Sequence, residues 1–123
     1  MLTFDRRTRG PFCLCSAGAL LAAVSIGLSA YASHGVAEPL VQSHLQTAAL
    51  YAFGHGVALA ALGRRSERLL GRLALCLLLL GTLLFSGSLA GNALAQWPTR
   101  LAPIGGTTLM LGWLLWAVDA LRR

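Results

Sequence analysis

Charged residues are scarce in this chain, and lysine is missing altogether. Only 11% of its 123 residues are charged, with ten basic residues, all of them arginine, and four acidic ones. A soluble domain carries roughly 25% charged residues, so this composition is poorly suited to a surface in water. The mean hydropathy of +0.68 points the same way. The sequence therefore predicts one membrane domain rather than a soluble unit.

Catalytic motifs are missing as well. The chain has no Walker-type phosphate loop, no HExxH, no GxSxG and no paired carboxylates, and none of its acidic residues lies in mid-span. General acid–base catalysis requires positioned proton donors and acceptors. Ion-coupled transport normally requires a charge embedded in the membrane. We therefore expect a protein that is not an enzyme and has no cofactor.

The pI near 10.7 could suggest a nucleic-acid partner. The arginines, however, form short clusters between long apolar runs, without the interleaved aromatic residues that single-strand binders use. Charge of this kind is typical of segments that set the orientation of a membrane protein. The expected first partner is the lipid bilayer, and no nucleic acid is expected.

Four charge-free runs cover most of the chain, at 10–37, 39–63, 73–99 and 101–118. A helix needs about 20 apolar residues, within a range of about 17–25, to cross the hydrocarbon layer. In lipid the backbone has to satisfy its own hydrogen bonds, which favours helices over strands. We predict an all-α, four-transmembrane-helix bundle with spans at 12–32, 41–62, 73–95 and 102–121.

The arginines predict the orientation of these spans. Nine of the ten lie before the first span, between the second and third, or after the fourth, and Arg100 alone lies in the third turn. Cytoplasmic loops are enriched in Arg and Lys. Both termini are therefore predicted to be cytoplasmic, in a bacterial inner (plasma) membrane.

A cleaved signal peptide is the alternative for the first span. An arginine-rich start, an apolar run and the sequence Ala30-Tyr31-Ala32 resemble one with an A-x-A cleavage site. The apolar run is about 20 residues long, whereas a signal-peptide core has roughly 7–15. That length favours a retained span.

A polar stripe marks the second span. His44, Thr47, Tyr51 and His55 recur at helical spacing in a segment without charge. Such residues could relay protons or bind a ligand, or they could form hydrogen bonds between helices. The two histidines lie roughly 16 Å apart along a helix, too far to share one metal ion. We favour interhelical hydrogen bonds and keep the other two interpretations open.

Two further stripes could supply the partners. The third span contains FSGSLAGN at 85–92, with glycines at 87 and 91 and with Ser88 and Asn92 in the same i, i+4 relation. The first span has serines at 25, 29 and 33. Small residues let helix backbones approach, and Ser and Asn add hydrogen bonds. These stripes predict tight helix packing, within one chain or between chains.

Metal-ligating residue types are few. His34 and His44 flank the first turn, and a metal site there would need Glu38 as its third ligand. Solvated interfacial histidines are the favoured interpretation. The cysteines at 13, 15 and 76 are expected to be apolar filler, because a reducing cytoplasm disfavours a disulfide.

Several motifs resemble a known family. ASHG (32–35), TAALYAFGHGVAL (47–59), FSGSL (85–89), PIGG (103–106) and GW (112–113) are similar, in order and spacing, to the YgdD-like family of small uncharacterised bacterial inner-membrane proteins. The departures are mild, such as Gly56 and Ala90 where that family has alanine and an aromatic residue. The resemblance implies about four helices and no assigned reaction, substrate or cofactor.

The resemblance and the polar stripes together give the candidate functional or interhelical positions: His34, Thr47, Tyr51, His55, Ser86, Ser88, Asn92, Pro103, Gly105 and Gly106. We expect a non-enzymatic accessory or structural component that packs against itself, as a homo-oligomer, or against a larger membrane complex. The alternative is a binding or transport module for a lipid, quinone, metal or proton that uses the stripe of the second helix.

Overall fold

The computed structural model describes the backbone of residues 9–63 and 68–122 and the side chains of 13–63 and 68–122. Its helices are α1 (Arg9–Gly35), α2 (Pro39–Leu62), α3 (Leu69–Ala95) and α4 (Leu101–Leu121). All four are long and apolar enough to cross a membrane. The four-helix prediction is confirmed at this level. Several of the arginines that predict the orientation lie outside the described residues, namely Arg6, Arg7, Arg64, Arg65 and Arg123.

Local chemistry sets the helix ends. Pro39 begins α2 in its first turn, where the missing N–H of proline is not needed. At the end of α3, Gln96 adopts a left-handed conformation with φ 57°. Its N–H donates to the carbonyl oxygen of Asn92 at 3.0 Å, and the N–H of Trp97 donates to that of Gly91 at 3.2 Å. Both connections at this end of the molecule are short, which makes the helices that they join antiparallel neighbours.

The helices form an open arrangement. α1 packs on α2, α2 on α3, and α3 on α4, whereas the described parts of α1 and α4 do not approach each other. About 33% and 39% of the apolar stretches of α2 and α3 are buried, against 11% and 17% for α1 and α4. The structure is therefore more open than a closed four-helix bundle, with α2 and α3 in the middle.

Glycines bring the backbones together in both hairpins. A Cβ added at Gly56 of α2 would lie 2.7 Å from the carbonyl oxygen of Gly18 on α1. In the second hairpin, a Cβ on Gly81 of α3 would lie 2.9 Å from the carbonyl oxygen of Gly105 on α4. Real Cβ atoms do not come so close to backbone atoms. Each hairpin therefore depends on the absence of a side chain at its crossing point.

A small apolar core lies between the hairpins. Leu59 of α2, Leu75 and Leu78 of α3 and Leu109 of α4 are buried together. Six partly buried residues pack around them, namely Leu14, Leu21, Leu62, Leu79, Phe85 and Trp116. The core is biased toward the end of the molecule at which α3 begins, while polar contacts dominate the opposite end.

Replacing Gly56 with leucine should destabilise the protein by about 1–3 kcal/mol, because the new side chain would overlap the backbone of α1. Gly54 is the matched control, since it lies two residues away on the same helix with nothing within 4 Å of its added Cβ. Unfolding by a denaturing detergent, followed by circular dichroism, measures both. Equal stability of Gly56→Leu and Gly54→Leu would show that the hairpin does not depend on this contact.

Candidate functional site

The polar stripe of α2 faces α3 and α4. Near the start of α2 the Nδ1 of His44 lies 3.1 Å from the Oδ1 of Asn92 on α3. The Nδ2 of Asn92 donates to the carbonyl oxygen of Trp97 at 2.8 Å. Because Asn92 uses its amide nitrogen there, its Oδ1 is the acceptor and His44 Nδ1 carries the proton. This chain of bonds ties the start of α2 to the end of α3 and the following turn.

His55 joins α2 to α4. Its Nδ1 donates to the carbonyl oxygen of Tyr51 at 2.8 Å, and its Nε2 accepts the indole N–H of Trp113 at 3.1 Å. A carbonyl oxygen can only accept and an indole N–H can only donate. The geometry therefore fits the neutral imidazole with its proton on Nδ1. A doubly protonated ring would lose the bond to Trp113.

Aromatic rings connect the same three helices. The ring of Tyr51 lies 4.6 Å from that of Phe85 on α3, tilted by 54°, and 6.1 Å from the nearly parallel imidazole of His55. The imidazole in turn lies 5.9 Å from the ring of Trp113. Tyr51 is 41% exposed, so one edge of this cluster opens toward the membrane.

The FSGSL motif lies where α3 meets α2. The hydroxyl of Ser86 is buried and donates to the carbonyl oxygen of Ala48 at 2.8 Å. Ser88 is also buried, and its hydroxyl donates to the carbonyl oxygen of Pro98 over a longer 3.4 Å. Thr47 is half-buried beside this contact on α2. Ser86, then, bonds to a neighbouring helix, and Ser88 bonds to the turn that follows its own helix.

The two glycines spaced by four in α3 form no close contact between helices within this chain, and their contact with a second chain stays a prediction. Gly87 is exposed, and an added Cβ would have nothing within 4 Å. Gly91 lies under the ring of Trp97 in the next turn. The spacing of these glycines suggested a packing motif, but spacing alone does not show which face of a helix meets its neighbour.

The PIGG motif lies in the first two turns of α4, against α3. Pro103 is in the first turn of the helix, and its carbonyl oxygen accepts the hydroxyl of Thr107 at 2.8 Å. Gly105 is in close contact with the backbone nitrogen of Phe85. Gly106 is less constrained, because an added Cβ there would lie 3.8 Å from the Phe85 ring, an ordinary contact distance.

Glutamines hold α1 to α2. The Nε2 of Gln46 donates to the Ser29 carbonyl oxygen at 3.2 Å and to the Ser33 hydroxyl at 2.7 Å, and its Oε1 accepts the Ser29 hydroxyl at 2.9 Å. One turn earlier, Gln42 donates to the Ala32 carbonyl oxygen at 3.0 Å. The serines were predicted from their spacing in the sequence, whereas both glutamines were missed, although their i, i+4 spacing on α2 was the available signal.

His34 lies near the end of α1. It lines an open groove of about 460 Å³ between α1 and α2, together with Gln46, Ser29 and Ser33 at the polar end. The side chains of Ile26, Leu50 and Phe53 line its apolar part. His44 faces α3 instead, so the metal site considered for His34, Glu38 and His44 is not assembled. No cluster of three His, Cys, Asp or Glu suited to a metal ion occurs in the part of the chain that the structure describes.

The described polar groups therefore act mainly on one another. His44, His55, Ser86 and Gln46 each bond across a helix contact. Such an arrangement can hold helices in register and can bind an amphiphile at its open edges.

More than half of the chain matches a known protein family. Residues 28–106 match the family described as "Protein of unknown function (DUF423)". The chain belongs to this family. The matched region takes in every candidate position from His34 to Gly106. The bonds to His55 from Trp113 and to Pro103 from Thr107 reach beyond it. No solved structure matches the chain.

The relatives of this DUF423 protein are named as membrane proteins. A UPF0382 membrane protein of Haemophilus influenzae is 35% identical over 72% of this chain and 77% of its own length. One from Schizosaccharomyces pombe is 33% identical over 77% of this chain and 90% of its own. One from Staphylococcus epidermidis is 32% identical over 85% and 92%. The protein is a multi-pass membrane protein of an uncharacterised family, and these names describe no enzymatic activity.

Replacing Gln46 with leucine should loosen α1 from α2, since three hydrogen bonds are lost at once. At roughly 0.6 kcal/mol for each bond within a membrane, the expected loss is about 2 kcal/mol. Gln42→Leu is the matched control and loses one bond. In detergent unfolding, Gln46→Leu should be clearly less stable than Gln42→Leu. The reverse order of stability would contradict the assigned role of Gln46.

Proposed function

We propose that this protein is a non-enzymatic accessory or structural component of the bacterial inner membrane, which packs against a second copy of itself. The alternative partner for such packing is a larger membrane complex. The observation that carries the proposal is that His55 and Ser86, two of the polar motif residues, bond to neighbouring helices of the same chain. Both ring nitrogens of His55 are bonded, one to a backbone carbonyl oxygen and the other to an indole N–H, and these partners are poor proton carriers, which opposes a relay through this residue.

The proposal also includes the orientation of the chain and the membrane in which it lies. Both termini lie in the cytoplasm, because that arrangement leaves nine of the ten arginines on the cytoplasmic side. The bacterial relatives, named as membrane proteins, support the inner membrane. The motifs from ASHG to GW further support placing the chain with the YgdD-like proteins within its family.

The outer face of α1 suits contact with another helix. Ala19, Ala23 and Gly27 are exposed at intervals of four, and an added Cβ at Gly27 would have nothing within 4 Å. Small residues on a lipid-exposed face permit close approach of a second helix. The stripe is uncharged, so a two-fold axis could pair it with the same stripe of a second copy without opposing like charges.

A second candidate function is binding of an amphiphile such as a lipid or quinone. The groove between α1 and α2 favours it, because Ser33 and His34 lie at its polar end and Leu50 and Phe53 in its apolar part. The exposed edge of Tyr51 offers a second contact from the α2 stripe. A metal or proton is the less supported cargo, since His44 and His55 bond to separate partners.

Purification at native expression level in a mild detergent or native nanodiscs, followed by mass spectrometry, tests the proposal. The protein should be recovered as a dimer, and Gly27→Leu should convert it to a monomer because the added side chain separates the two α1 helices. Gly87→Leu is the control, since Gly87 is equally open but lies on α3. A wild-type monomer without partners would contradict the proposal, and so would an unchanged Gly27→Leu dimer.

The same preparations separate the second candidate from the first. Tyr51→Phe combined with His55→Phe removes two polar groups and retains the aromatic rings. Under the proposed function this variant unfolds more easily, because the bond to Trp113 is lost. A variant of unchanged stability that loses a co-purifying lipid or quinone would instead favour the binding module.

A further inference from the structure

We propose that the junction between the start of α3 and the end of α4 binds the headgroup of an anionic phospholipid. The site is an open groove of about 470 Å³ that lies outside the motif cluster. Arg68, Arg122 and Asp119 line it together with three leucines, namely Leu69, Leu70 and Leu73. The site is distinct from the α1 face and from the α2 stripe. The inference therefore adds a lipid class, the anionic phospholipids, as a ligand beyond the proposed function.

The two arginines are held near each other by the fold. Arg68 immediately precedes α3, and its Nη1 donates to the carbonyl oxygen of Arg122 at 3.0 Å. Arg122 follows the last residue of α4. One guanidinium has five N–H groups, so the bond to the carbonyl leaves Arg68 with further donors. Both side chains are exposed at the mouth of the groove.

The charge balance of the groove favours an anion. Arg68 and Arg122 contribute two positive charges, and Asp119 contributes one negative charge, which leaves one net positive charge. Asp119 is only 1% exposed, whereas the side chains of both arginines are exposed and accessible to a ligand. Arg72, one turn further along α3, is exposed as well and adds positive charge.

The leucines distinguish a lipid from a free phosphate. Leu69 is 75% exposed and Leu73, one turn later on the same face, is 48% exposed. They lie directly beside the arginines at the end of the membrane-crossing stretch of α3. If the phosphate of a lipid bound to the arginines, the acyl chains of that lipid would lie along these leucines. Basic pockets between helices at the cytoplasmic surface recognise anionic headgroups in this way.

Native mass spectrometry of the full chain in a neutral detergent, titrated with phosphatidylglycerol or phosphatidylcholine, tests the site. Phosphatidylglycerol should bind more tightly. Arg68→Gln and Arg122→Gln should each weaken its binding roughly fivefold and leave phosphatidylcholine unaffected. Arg122→Gln keeps the backbone carbonyl that Arg68 binds, so this variant should retain the wild-type fold, which circular dichroism checks. Arg100→Gln is the matched control, because Arg100 is exposed at the opposite ends of the same two helices.

Three results would overturn the proposal. Equal affinity for the two lipids would remove the role of charge. A loss in Arg100→Gln equal to that in Arg122→Gln would mean that general surface charge, and not this groove, attracts the lipid. Displacement of phosphatidylglycerol by inorganic phosphate at equal concentration would show a site for the free anion that makes no use of the leucines. These results are independent of the dimer, which the Gly27 variant tests separately.

Discussion

Lipid offers no hydrogen bonds to a polypeptide backbone, and this constraint shapes the whole molecule. Each crossing segment has to form a helix that satisfies its own N–H and carbonyl groups. Association between helices cannot draw on the hydrophobic effect, because lipid tails are as apolar as leucine. What remains is close packing and hydrogen bonding of side chains. Gly18 against Gly56 is the first kind of contact, and Gln46 against Ser29 is the second.

Both kinds of contact occur within the first hairpin and between the hairpins. Glycine contacts join the helices within each hairpin, Gln46 adds hydrogen bonds within the first, and buried leucines join the hairpins at the end where α3 begins. Bonds from His44, His55 and Ser86 join the first hairpin to the second. The motif residues therefore lie mostly where the hairpins meet, and the edge helices α1 and α4 remain largely exposed. A protein built in this way presents outer surfaces for lipid or another helix, and its polar interior is a structural joint.

The sequence predicted the helices well because hydropathy and charge are local properties. The clearest difference is at α3, which starts at Leu69 instead of 73, since Arg72 interrupts the apolar run without interrupting the helix. It was also possible to predict that the stripe containing His55 would face other helices, because periodicity shows which residues share a face.

Which helix that face meets could not be predicted, because it depends on tertiary contacts. The spacing of Gly87 and Gly91 resembles a packing motif, yet the close backbone contacts occur at Gly18, Gly56 and Gly81 instead. Gln46 was missed because it lies on the opposite side of α2 from the histidines. Trp113 was visible only as part of a motif, and its bond to His55 spans 58 residues of chain.

The central claim is that the chain crosses the membrane four times and leaves nine of its ten arginines on one side. Paired reporter fusions, one active only in the cytoplasm and one only in the periplasm, measure this directly. Fusions at residues 66 and 123 should report the cytoplasm, and fusions at residues 37 and 99 should report the periplasm. A periplasmic signal at 66 or 123 would contradict the account, as would a mature chain that begins at Ser33.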